Sequence, residues 1–241
     1  MHITRRTAVA SLVGAIMVSR SNTFAASSPA QRIGVIGAGS LGGTVGRLWV
    51  QAGHEVMFST RHPEELAPMV RQAGPRASAG TAEEAARFGS ILLFAVPYDA
   101  LETLGRDLHD VMRGKIVLDA CNPSAARYEA LARQTGSRSV AEISSKLLPD
   151  VRLVRAFSAV DATAVEASSK RRSEPLGIPI ASDDTGALQI AAQLVRDVGC
   201  EPVITGNLAS AASFQRSGPG FRANTDAVRL RQLLGLPAAQ Q

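Results

Sequence analysis

Aromatic residues are scarce in this chain: one Trp, two Tyr and seven Phe in 241 residues. Single-stranded nucleic acids are held by stacking bases on such rings, so that partner class needs strong support from charge. It has none. The formal net charge is +5, but Arg5, Arg6 and Arg20 fall within the first 26 residues, which hold no acid, and the remainder is close to balanced. A nucleic-acid partner is therefore not expected. The two cysteines, Cys121 and Cys200, form no Cys-x-x-Cys pair, and the four histidines show no metal-ligand spacing. No Ser-His-Asp order attaches to any motif, so no metal and no dedicated catalytic side chain is expected. No apolar run reaches the ~20 residues of a membrane-crossing helix.

The chain does have a tripartite leader: a basic start, an apolar run Ala8–Val18 and small residues around Ala25 and Ala26. That pattern is an export signal over residues 1–26. The adjacent arginines of "TRRTAV", the modest hydrophobicity of the run and Arg20 before the cleavage region favour the twin-arginine route. The expected location is periplasmic or secreted, with the export machinery as a partner and no stable membrane span once the signal is removed. A start at Met17 would instead leave a cytoplasmic protein.

"RIGVIGAGSLGGTVGRLWVQAG" opens the folded part. Ile33–Ile36 is a short apolar strand, followed by Gly37, Gly39 and Gly42 in the order G-x-G-x-x-G. Leu41, Val45, Leu48, Trp49 and Ala52 then share one helical face, and Glu55–Ser59 is a second strand. Strand, glycines, amphipathic helix and second strand together make the dinucleotide-binding βαβ unit. Gly37 serves the tight turn, Gly39 the approach to a pyrophosphate, and Gly42 the helix–strand contact. Ser40 and Leu41 begin the helix whose amides would meet that pyrophosphate. Trp49 is expected in helix–sheet packing.

What is missing at the end of the second strand selects the cofactor. An NAD-binding unit places a carboxylate there for the ribose 2′-hydroxyl. "VMFSTRHPEE" places Ser59, Thr60 and Arg61 instead, with His62 nearby. Arginine attracts a 2′-phosphate and can fork onto it, so the expected cofactor is NADP(H). A solvated turn arginine is the alternative.

Strands and helices continue to alternate. Helical segments are expected at Pro63–Gln72, Ala82–Arg87, from about Asp99, and at Asp183–Val198. Strands are expected at Arg76–Ala79, Ile91–Ala95, Ile116–Asp119, Val151–Phe157, Leu176–Ser182 and "EPVITG". The fold class is α/β: a doubly wound, mostly parallel Rossmann sheet in a single domain, residues 27–218, with a C-terminal helix and tail over 219–241. Site candidates are the residues just after strands: Ala95–Tyr98, Cys121–Pro123 and Phe157–Ser158. Asp119 and Asn122 are expected to cap backbone, and His54 and His109 to lie at the surface. The cysteines, placed at opposite edges of a parallel sheet, are expected as free thiols, Cys200 buried and Cys121 near the cleft.

In order, "IGVIGAGSLGGTVG", "STR", "AVPYDA", "LDACNP", "VRAFSAV", "PLGIPIASDDTGA" and "LVRDVGCEPVITGNLASA" resemble the F420-dependent NADP oxidoreductase family over about residues 32–218. The NADPH domain of transmembrane ferric reductases is similar. The resemblance implies that Ser59 and Arg61 hold the 2′-phosphate, that Val96 and Pro97 lie near the nicotinamide half, and that Ala156 and Phe157 line the wall where a second ring stacks. It further implies hydride transfer between NADPH and a flavin-like or deazaflavin (coenzyme F420) acceptor, with a ferric or flavin reductase as a related activity. Such transfer needs ring placement rather than an acid or base. A non-catalytic NADP(H)-binding module is the alternative from another class. A small-molecule electron acceptor is the expected partner, and a homodimer is left open.

Overall fold

The computed structural model describes residues 29–136 and 139–238; the expected export signal at 1–26 lies outside them. β1 (Arg32–Ile36) leads through α1 (Ser40–Gln51) to β2 (Glu55–Ser59). A 3-10 turn at Pro63–Leu66 and α2 (Ala67–Ala73) precede β3 (Ala77–Gly80), and α3 (Ala82–Phe88) precedes β4 (Ile91–Phe94). Next come α4 (Leu101–Asp107), α5 (His109–Met112), β5 (Ile116–Asp119), α6 (Ala125–Thr135), α7 (Val140–Leu147) and β6 (Arg152–Arg155). The chain closes with α8 (Ala162–Ser168), β7 (Gly177–Ala181), α9 (Thr185–Asp197), β8 (Glu201–Gly206) and α10 (Ala227–Leu233).

The strands form one sheet in the order β3-β2-β1-β4-β5-β6-β7-β8. The first six run parallel. β7 meets β6 antiparallel at the single register Arg155↔Ala181, and β8 runs parallel to β7. Central strands such as β4 (ILLF) are buried throughout, because helices cover both faces. On one face α1 and α9 pack Val45, Leu48, Trp49, Ala191 and Leu194; on the other α3, α4 and α7 pack Ala85, Leu101, Val140 and Ile143. Trp49 is fully buried, and its indole donates to the Leu194 carbonyl at 2.9 Å, which ties α1 to α9.

Several expectations need correction. The helix expected at Pro63–Gln72 divides where Pro68 sits near the start of α2, because proline is tolerated in a first helical turn and not in an interior. His54 is 2 % exposed, not a surface residue. Its Nδ1 accepts from Gln31 N at 3.1 Å and its Nε2 meets Asp197 at 3.0 Å. The cysteines are free and buried. They sit in different parts of the core: Cys200 packs with residues of α1 and α9, Cys121 with residues of α3, α4 and α7. The C-terminal helix expected within 219–241 is present as α10 and is packed. Leu176 and Asp226 form a β-bridge, and Leu230 is buried against the sheet.

Candidate functional site

A cleft of about 660 Å³ opens beyond the carboxyl ends of β1, β2 and β4. In the strand order β2-β1-β4 the chain leaves β1 in both directions, which makes this the switch point where doubly wound sheets bind ligands. The turn after β1 is pinned to β2, with the amides of Gly37 and Ala38 both donating to the Ser59 carbonyl, at 3.2 and 2.9 Å. Gly37 has φ +100°, and a Cβ there would stand 2.5 Å from the Ala95 carbonyl oxygen. A Cβ on Gly42 would stand 2.1 Å from the Gly37 carbonyl oxygen, so helix and turn approach closer than any side chain allows.

Gly39 differs. It lines the cleft, a Cβ there would meet nothing within 4 Å, and it caps α1 without a side-chain hydrogen bond. The first amides of α1 are left for a ligand at the positive end of the helix. Ser40 is exposed at that end, while Leu41 is half-buried against the core. This cradle fits the pyrophosphate of a dinucleotide.

Thr60 and Arg61 line the cleft beside the cradle. Ser59 also borders it but is 1 % exposed, and its hydroxyl donates to the Val35 carbonyl at 2.9 Å. That proton holds β2 to β1, so Thr60 and Arg61 are the available donors. His62 meets Glu64 at 3.6 Å, both exposed. Among the described lining residues Arg61 is the one charged group, and no carboxylate faces it.

Val96 and Pro97 form the wall after β4. Thr81, Ala82, Thr103 and Leu104 complete the opposite rim, and sequence reasoning missed them. Thr81 was detectable: "TAEE" forms a capping box in which Thr81 and Glu84 bond each other's backbone amides. Beside Val96 the phenol of Tyr98 is buried against the Ser144 hydroxyl at 3.3 Å, and burial pushes its pKa up to about 12. Burial also raises the Cys121 thiol well above its ordinary value, helped by the nearby Asp119 carboxylate. Both groups stay protonated at neutral pH.

A second, smaller cavity of about 200 Å³ lies after β5, walled by Asn122, Pro123, Ser124, Tyr128, Gln215 and Arg216. Between the two cavities Arg127 bridges Asp99 at 3.1 Å. Ala156 and Phe157 open onto neither. Both are fully buried, and the Phe157 ring meets Trp49 edge-on at 5.9 Å. The stacking wall that the resemblance implied at these two residues is core instead, packed between α1 and the sheet. Asp119 does cap backbone, accepting from Cys121 N at 2.9 Å, and it also pairs with the buried Arg155 at 2.6 Å. An arginine at the end of the apolar run, in "LVRAF", was the available signal for that pair.

Residues 32–123 match the family described as NADP oxidoreductase, coenzyme F420-dependent. Over that stretch, the nucleotide-binding unit, the chain is similar to that family. The match takes in Gly37, Gly39, Gly42, Arg61, Val96 and Pro97, whereas Ala156 and Phe157 lie beyond it. Among curated proteins, metalloreductase STEAP3 of Rattus norvegicus is 26% identical over 186 residues, 77% of this chain and 36% of the relative. Metalloreductase STEAP2 of Mus musculus is 25% identical over 76% of this chain. The chain spans about a third of the length of these curated relatives. Among solved structures, a hypothetical protein from Sinorhizobium meliloti superposes with TM-score 0.69 at 24% identity, covering 80% of this chain and 93% of that one. A provisionally named F420-dependent NADP-reductase from Arthrobacter sp. FB24 gives 0.62 at 20%, covering 76% and 87%. At such identities the superpositions establish the shared fold. Among the described residues no group of three or more His, Cys, Asp or Glu could hold a metal ion, and no helix is long and apolar enough to cross a membrane.

Proposed function

We propose that this chain is an NADP(H)-dependent oxidoreductase passing hydride between NADPH and a flavin-like or deazaflavin acceptor such as coenzyme F420. One observation carries the cofactor choice: among the described residues the cleft beside the glycine cradle presents Arg61 and no carboxylate. A carboxylate there would repel a 2′-phosphate, and an unopposed guanidinium attracts it. Gly39 and the α1 amides hold the pyrophosphate, Thr60 and Arg61 hold the 2′-phosphate, and Val96 and Pro97 fix one face of the nicotinamide end. NADPH, when bound, supplies the hydride. The protein's part is to hold two flat rings face to face and to keep water away, which needs no titrating side chain. The acceptor approaches from the side of Asn122 and Pro123. The metalloreductase names of the curated relatives add ferric chelates to the acceptors worth testing.

The test is consumption of NADPH at 340 nm against F420, FMN, FAD and ferric citrate, with NADH as control. Turnover with at least one acceptor and a preference for NADPH is expected. Tight NADPH binding with no oxidation by any of the four would leave a nucleotide-binding module and end the enzymatic proposal.

We also propose that the leader with Arg5 and Arg6 directs export of the folded chain by the twin-arginine route, to a periplasmic or secreted location. That route carries folded proteins, so nucleotide can leave inside its cleft. Arg5→Lys with Arg6→Lys is expected to hold the chain in the cytoplasm. Unchanged fractionation of the double variant would refute it.

A further inference from the structure

Arg155 and Asp119 form an ion pair that is 1 % and 0 % exposed, at the carboxyl ends of β6 and β5. Burying two charges carries a desolvation penalty that an apolar pair of similar volume avoids, so fold stability gives no reason for it. The bonds around it do. The Arg155 guanidinium donates to Asp119 Oδ2 at 2.6 Å through one nitrogen and to Asn122 Oδ1 at 2.7 Å through another. Asp119 Oδ1 accepts from Cys121 N at 2.9 Å, and Asn122 Nδ2 donates to the Ser158 carbonyl at 2.7 Å. This closed ring stitches the loop after β5 to the loop after β6. It also holds Phe157 in the left-handed region at φ +59°, where a non-glycine residue stays only if its neighbours fix it.

Arg155 lines neither cavity, but its partner Asn122 lines the smaller one. Behind the ring, Cys121 lies against the Val96 backbone, on the wall of the nucleotide cleft. The network therefore sits where the nucleotide cleft and the second cavity adjoin. The Asn122 side-chain oxygen accepts and its nitrogen donates, which leaves that side chain one orientation.

We propose that Arg155 is a positioning residue for the acceptor half of the site: it sets Asn122 and the Ser158 turn without touching nucleotide. This rests on the cleft taking NADP(H), as proposed above. Lysine at this position can keep the Asp119 contact but cannot fork to Asn122. Arg155→Lys should therefore behave like Asn122→Ala, and the double variant no worse than either.

The experiment compares the full-length native chain with Arg155→Lys, Asn122→Ala, their combination and Arg155→Met. Each is titrated with NADPH by fluorescence, then assayed for NADPH oxidation with FMN as the probe. The expected result is NADPH affinity within about twofold of native throughout, and kcat/KM for FMN lower by about tenfold in both single variants and the double, as for loss of one charged hydrogen bond. Arg155→Met should lose more. If that variant does not fold, the other three carry the test. Hydrogen exchange of residues 120–124 and 156–160 supplies a readout independent of turnover, and faster exchange is expected in every variant. Native-like kcat/KM in Arg155→Lys overturns the proposal, as does a parallel fall in NADPH affinity, additive losses in the double variant, or unchanged exchange in the two loops. A native chain that takes up no NADPH overturns the cofactor assignment itself, before any variant is compared, and this role falls with it.

Discussion

Replacing Arg61 with alanine removes the one charged side chain among the described residues lining the nucleotide cleft. A hydrogen bond between charged groups contributes about 1.5–3 kcal/mol. Arg61 is exposed, so solvent screening and the ordering of a long side chain take back part of this. About 1–2 kcal/mol remains, or roughly a 5- to 30-fold weaker affinity for NADPH. NADH lacks the 2′-phosphate and should change by less than about twofold, so the loss falls on the preference and not on binding in general. Salt gives an independent check. Screening shortens from about 10 Å at 0.1 M to about 3 Å at 1 M ionic strength, so the native preference should shrink with added KCl while that of the variant stays flat. The assay is a fluorescence titration of both proteins with both nucleotides at low and high KCl. An unchanged NADPH-to-NADH ratio in the variant, or a native chain that prefers NADH, refutes the reasoning.

Gly42→Ala should lower stability by about 1–3 kcal/mol, as overpacking does, and weaken both nucleotides equally, because its Cβ meets the Gly37 carbonyl at 2.1 Å; a native melting temperature would contradict the close contact. Trp49→Phe strands the buried Leu194 carbonyl and should cost about 2 kcal/mol, with chemical denaturation as the measure. Asp150 and Asp110 raise the His109 pKa above its ordinary value. The charged form is favoured by folding, so its contribution is full below the unfolded value and lost as pH rises through the folded one. His109→Gln should therefore lower the melting temperature at pH 5.5 and leave it unchanged at pH 9; an equal effect at both would reject the ion pairs as the cause. Burial pushes Cys200 up to about 11 and Cys121 well above its ordinary value, so a thiol reagent at pH 8 should label the folded chain slowly and the unfolded chain rapidly at two sites. Failure to label the unfolded chain would mean a disulfide.

The alternation of apolar strands with amphipathic helices, read from residue order alone, determined the α/β class, the glycine turn, β2 and β5 to the residue, and the place of Arg61 after β2. These features are local: a strand, a turn and a helical face each depend on neighbours a few positions away. What escaped was nonlocal. The direction of β7 depends on one antiparallel register with β6, and nothing in "LGIPIAS" encodes which way it runs. Phe157 and Ala156 follow a strand as site residues do, yet Trp49, over a hundred positions away, draws Phe157 into the core. Ser59 has a hydroxyl suited to phosphate, but the Val35 carbonyl takes its proton. The Arg155–Asp119–Asn122–Ser158 ring joins two loops that meet only when β5 and β6 lie side by side. Sequence fixes which groups are offered; the packed sheet decides which of them are spent on each other and which are left facing the cleft, because a buried polar atom must find its partner wherever the fold supplies one.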